Sequence, residues 1–83
     1  MVYPNPVTDG LVKLSFNDQP IGKYKVQVID MFGKLISSRE VIVNSKLQIE
    51  ELKLGEALAK GSYMIKVSNE KENISFTQKV LVQ

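Results

Sequence analysis

The sequence predicts an all-β chain folded as an antiparallel β-sandwich of six to seven short strands, and three observations predict it. Apolar and polar residues alternate with a period of two in several segments, the pattern of strands with one buried face. Gly, Pro, Asn or Asp stops each segment after about ten residues. Helical spacing appears in one place only, between Leu54 and Leu58, where Gly55 and Gly61 limit it to a short helical turn.

The elements follow in order. "MVYPNPVTDG" opens the chain, and Pro4 and Pro6 fix their own φ while pushing Tyr3 and Asn5 toward extended conformations. Residues 3–6 are therefore a stiff, strand-like lead-in. Asp9-Gly10 supplies a tight turn into "LVKLSF", where Val12, Leu14 and Phe16 share a face. After Gly22, "KYKVQVID" puts Tyr24, Val26 and Val28 on one side and lysines and Gln27 on the other. "DMFG" then suits a type I turn closed by a left-handed glycine, with Asp30 first and Gly33 last. Residues 23–30 should pair antiparallel with a strand beginning at Lys34.

That next strand, "KLISSREVIV", carries its apolar residues in two phases, and a bulge or break near Ser37-Ser38 would reconcile them. "KLQIEEL" is a short strand with Leu47 and Ile49 in phase. "SYMIKVSN" repeats the clear alternation, with Tyr63, Ile65 and Val67 inward and Lys66 outward. "NISFTQKVLVQ" follows the polar tip "NEKEN" and puts Ile74, Phe76, Val80 and Val82 in one phase, with Gln78 a polar exception. Two hairpins and nearly no helix give immunoglobulin-like proportions.

Composition bounds the function. With 83 residues the chain is a single domain, 1–83, and its net charge of +2 is too small and too scattered for a nucleic-acid footprint. Neither cysteine nor histidine is present, which removes disulfides, thiolate nucleophiles and the usual general base. Carboxylates alone would have to build a metal or catalytic site, and Glu50-Glu51 and "NEKEN" fall at turns and polar faces. No enzyme, no cofactor and no small-molecule substrate are expected. The apolar runs are far below the roughly 18 residues that span a bilayer, and no signal peptide is evident. Met1 ahead of a proline-rich lead-in reads as an initiator added to a domain excised from a larger secreted protein, whose targeting signal would lie upstream.

"YPNPVTDG", "GKYKVQVIDMFGKLI", "LAKGSYMIKV" and the final "KVLVQ", in that series, resemble the C-terminal sorting domain of cargo proteins of the type IX (Por) secretion system of Bacteroidetes. The resemblance runs from Tyr3 to Gln83. It implies a signal domain recognised by the outer-membrane translocon and its shuttle proteins, carrying an N-terminal cargo from the periplasm to the cell surface or medium. It further implies removal by a sortase-like cysteine protease, with the cargo sometimes joined to an anionic lipopolysaccharide. Family members often end in Lys or Arg, whereas this chain ends in Gln83, so a role for a terminal positive charge falls on Lys79.

Most residues that match the family pattern have structural explanations: Pro4, Asn5, Pro6, Asp9, Gly10, Gly22, Asp30, Gly33, Lys34 and Gly61 as turn and strand-entry chemistry, Tyr24 and Tyr63 as core aromatics. Lys79, Val80, Leu81, Val82 and Gln83 are the candidates for recognition by the translocon. A terminal strand can offer unpaired edge groups for β-augmentation, with Val80 and Val82 inward and Lys79, Leu81 and Gln83 outward. The proline lead-in would blunt another edge against aggregation. A rival reading is a carbohydrate-binding or adhesive module of a secreted enzyme, for which Tyr3 and Phe32 are the exposed aromatic candidates. A protein-binding inhibitor sandwich is a third, and oligomeric state is left open, a weak homodimer included.

Overall fold

The computed structural model describes residues 2–3, 6–54 and 58–83. Within them lie β1 (Val2–Tyr3), β2 (Leu11–Asn17), β3 (Gly22–Asp30), β4 (Leu35–Val43), β5 (Leu47–Lys53), β6 (Gly61–Asn69) and β7 (Ile74–Val82). They form a three-stranded sheet in the order β1-β2-β5 and a four-stranded sheet in the order β4-β3-β6-β7, antiparallel throughout. The two sheets make a β-sandwich. The alternation in β2, β3 and β6 explains why: each places a row of apolar side chains on one side only, and the two rows must be buried against each other.

The core is the sum of those rows. Val12, Leu14 and Phe16 from β2 meet Tyr24, Val26 and Val28 from β3 and Tyr63, Ile65 and Val67 from β6. The rings of Phe16 and Tyr24 tilt against one another at 5.2 Å, the offset geometry that aromatic quadrupoles prefer. Partly buried Leu54 and Leu58 pack against this core. The helical turn expected between them lies in part over residues 55–57, outside the described residues.

The four-stranded sheet carries an internal repeat. Gly22-x-Tyr24 opens β3 and Gly61-x-Tyr63 opens β6, and each strand ends eight residues after its glycine in a side chain that caps the following turn. Each tyrosine hydroxyl donates to the carbonyl four residues upstream, Tyr24 to Pro20 (2.7 Å) and Tyr63 to Ala59 (2.6 Å). At the other end, Asp30 Oδ1 accepts from Phe32 and Lys34 N–H groups, and Asn69 Oδ1 accepts from Glu72 N–H. Because Gln27 pairs with Lys66, the β4-β3 and β7-β6 hairpins are related by a local two-fold through that pair.

Two expectations are corrected and a third is located. In β5 the inward phase is Gln48, Glu50 and Leu52, so Leu47 (65 % exposed) and Ile49 (51 % exposed) face solvent. The polar pair is tolerated because each member finds a partner across the open side of the sandwich: Gln48 Nε2 donates to the Ile42 carbonyl (2.7 Å), and Glu50 lies 3.5 Å from Arg39 Nη2. The bulge expected near Ser37-Ser38 is present beside Ser37, since Val28 pairs with Ser37 while Ile29 pairs with Leu35. Ile36 is the extra residue, and the bulge turns Leu35 to the outer face. Phe76 holds the expected phase but is 41 % exposed, because it lines an open cleft with Val2, Phe16 and Ile74 instead of being sealed between the sheets.

Candidate functional site

The final strand is built as a two-sided ribbon. Val80 and Val82 are buried beside Tyr63, while Lys79, Leu81 and Gln83 are exposed on the outer face, as the alternation requires. Gln78, the polar exception, has an inward role: its amide bonds both backbone groups of Val2, accepting from the N–H (3.4 Å) and donating to the carbonyl (3.0 Å). It thereby ties β1 to the larger sheet.

The outer edge of this strand is not open where the sequence suggested. Val7 lies parallel to it, its N–H donating to the Leu81 carbonyl (2.7 Å) and its carbonyl accepting from the Gln83 N–H (2.8 Å). The chain start therefore covers the chain end, and strand addition at Leu81 and Gln83 is blocked. Sequence reasoning missed Val7 because a single paired residue has no periodicity. These bonds also fix the polarity of the ladder. Odd-numbered residues of β7 point their backbone groups away from β6, and even-numbered ones pair with it. Ser75 and Thr77 present such groups on the part of the edge where none of the described residues pairs with it.

The remaining motif residues divide between the two ends of the sandwich. Asp30 pairs with Tyr63 and Gly61 with Val82, so the β3–β4 turn, the start of β6 and residues 79–83 share one end. In that turn Gly33 takes φ 86°, its N–H reaching the Asp30 carbonyl at 3.1 Å, and Lys34 closes the hairpin through the Asp30 N–H (2.9 Å). Gly22 lies at the opposite end with Asn69 beside it. Asp9 Oδ1 accepts from the Leu11 N–H and the Gly10 carbonyl from the Leu54 N–H, which sets β2 beside β5. Pro6 is exposed just before Val7, and Pro4 and Asn5 lie outside the described residues. Two ion pairs are seen among the described residues, both solvent-accessible: Lys23 with Glu40 (3.8 Å) and Arg39 with Glu50 (3.5 Å). Among the described residues no group of three or more acidic side chains is arranged to hold a metal.

The described residues form a sandwich braced at both ends by side-chain-to-backbone bonds, with alternate side chains of its last strand exposed. The family model for the secretion system C-terminal sorting domain matches residues 1–83, the entire chain, and the chain belongs to that family. Searches of curated proteins and of solved structures each find no match. The domain is the type IX secretion sorting signal: it engages the type IX machinery and marks proteins for export across the outer membrane to the cell surface or extracellular space. The family is not a catalytic one. No finding favours the carbohydrate-binding reading.

Proposed function

We propose that this chain is the sorting portion of a larger secreted protein, that it performs no catalysis itself, and that the export machinery reads the outer side chains Lys79, Leu81 and Gln83. A sortase-like cysteine protease then separates the domain from its cargo. The observation that carries the reading is the alternation at the end of β7. Val80 and Val82 hold the strand in the core, so the three outer side chains are displayed without any unfolding. With Val7 on the strand's edge, recognition proceeds through side chains and not through backbone pairing at those positions.

The test fuses residues 1–83 behind a periplasm-targeted reporter in a host with type IX machinery. Lys79→Glu and Leu81→Ser are compared with wild type for reporter outside the cell and, in the isolated domain, for melting temperature. Melting should shift by a few degrees at most, since exposed substitutions typically change stability by about 0.5 kcal/mol or less. Export should fall sharply. Full export by both variants defeats the reading.

A further inference from the structure

Phe32 is 97 % exposed at the tip of the β3–β4 turn. The backbone of the tip is braced, because the Phe32 N–H is held by Asp30 Oδ1 at 2.9 Å and the same oxygen holds the Lys34 N–H at 2.8 Å. A large apolar side chain is thus presented to water by a well-braced turn. It has apolar company. Cross-strand pairing sets Leu35 beside Ile29 and Ile29 beside Met64, a row crossing three strands on the outer face and ending on β7 at Lys79. Exposed Met31 and Ile36 flank its start, and Leu81 stands one step beyond Lys79.

The patch has a boundary and a charge. The next row of the same face, Ser38, Gln27, Lys66 and Thr77, is wholly polar. Lys34, Lys66 and Lys79 border the apolar end, whereas at the opposite end, around the cleft that Gly22 and Asn69 line, Lys23, Lys25 and Lys71 are balanced by Glu40, Glu70 and Glu72. Asp30, a carboxylate at the apolar end, has an oxygen committed to the turn. An apolar surface with a cationic border is complementary to an apolar depression bordered by carboxylates.

We infer that this end of the outer face is a docking surface for a protein component of the export machinery, with Phe32 as the apolar anchor and the three lysines meeting acidic groups around it. The inference rests on the reading of Lys79, Leu81 and Gln83 above and extends it to a second strand pair. A flat bilayer fits less well. Lys34, Lys66 and Lys79 border the patch, so entry into lipid would draw three charges toward the apolar region with it. Methionines at positions 31 and 64 suit a partner surface that repacks on contact.

The same reporter fusion tests it, with Phe32→Ser and Leu35→Ser alongside Lys79→Glu. Phe32→Ser should leave the melting temperature unchanged and lower export by about tenfold or more, the scale of loss when a buried aromatic anchor is truncated. Full export by Phe32→Ser and by Leu35→Ser overturns the inference. If those two export fully while Lys79→Glu does not, the patch falls and the reading of the last strand stands. If Lys79→Glu exports fully while Phe32→Ser fails, the patch is supported and the reading of Lys79 falls. Vesicles of phosphatidylglycerol and phosphatidylethanolamine supply the other arm. The wild-type chain should not sediment with them, and sedimentation that Phe32→Ser abolishes would overturn a protein partner in favour of lipid.

Discussion

Asp30 shows how much of this fold depends on single side chains. One carboxylate oxygen takes two N–H groups, the backbone takes and gives one more bond each with Gly33 and Lys34, and the hairpin closes in the space of five residues. Gly33 makes that closure possible at φ 86°. No atom lies within 4 Å of where its Cβ would be, so a substitution there is penalised by backbone strain alone. Gly33→Val should therefore cost about 1–3 kcal/mol; an unchanged midpoint in urea would contradict the strained conformation. The tyrosine hydroxyls make a second case. Tyr63→Phe and Tyr24→Phe each remove one short bond to a carbonyl and leave the ring in the core, so each should cost about 0.5–1.5 kcal/mol. Equal stability of both variants with wild type would show that water replaces the hydroxyls without loss.

At the scale of elements, what was legible depended on whether a strand's partners lie nearby and on its apolar face. β2, β3 and β6 declared themselves because the inward residues along their middles are apolar, and the Asp30 turn because its chemistry is local. β5 did not. Its two phases differ in hydrophobicity in the wrong sense, since Gln48 and Glu50 face inward and find their partners on β4, at positions no local window reveals. The site was legible to the same degree: the two-sided character of residues 79–83 follows from alternation, while the cover supplied by Val7 is a contact between chain start and chain end. The polarity of β7 yields a sharp prediction. Thr77→Pro removes an N–H that points away from β6 and should cost about 1 kcal/mol or less, whereas Gln78→Pro removes one that pairs with Ile65, along with the side-chain bonds to Val2, and should cost at least about 2 kcal/mol. Thermal melts of the two variants with the opposite ranking would show that the ladder runs the other way.

At the scale of the whole molecule the first and last residues hold each other. The chain starts in the smaller sheet as β1, crosses to the larger one by Val7, and there bonds the strand that ends the fold, while Gln78 reaches back to Val2. Removing residues 79–83 would therefore strip two buried valines from the core, unpair Gly61 and Tyr63 on β6, and release Val7 with both its bonds. The valines alone are worth about 1.5–3 kcal/mol each on burial. A domain of this size has a net stability of only roughly 5–10 kcal/mol, so the lost packing, ladder and bridge together approach the total. The truncated chain should then lack a cooperative thermal transition by circular dichroism, while Lys79→Glu retains one close to that of the full chain. A sharp melt of the truncated chain within about 10 °C of the full one would mean that the termini contribute little to stability, since a shift of that size corresponds to no more than about 2.5 kcal/mol in a domain of this length. If the prediction holds, failure of a truncated fusion to be exported reports unfolding, and only point substitutions on the outer face separate recognition from the fold that displays it.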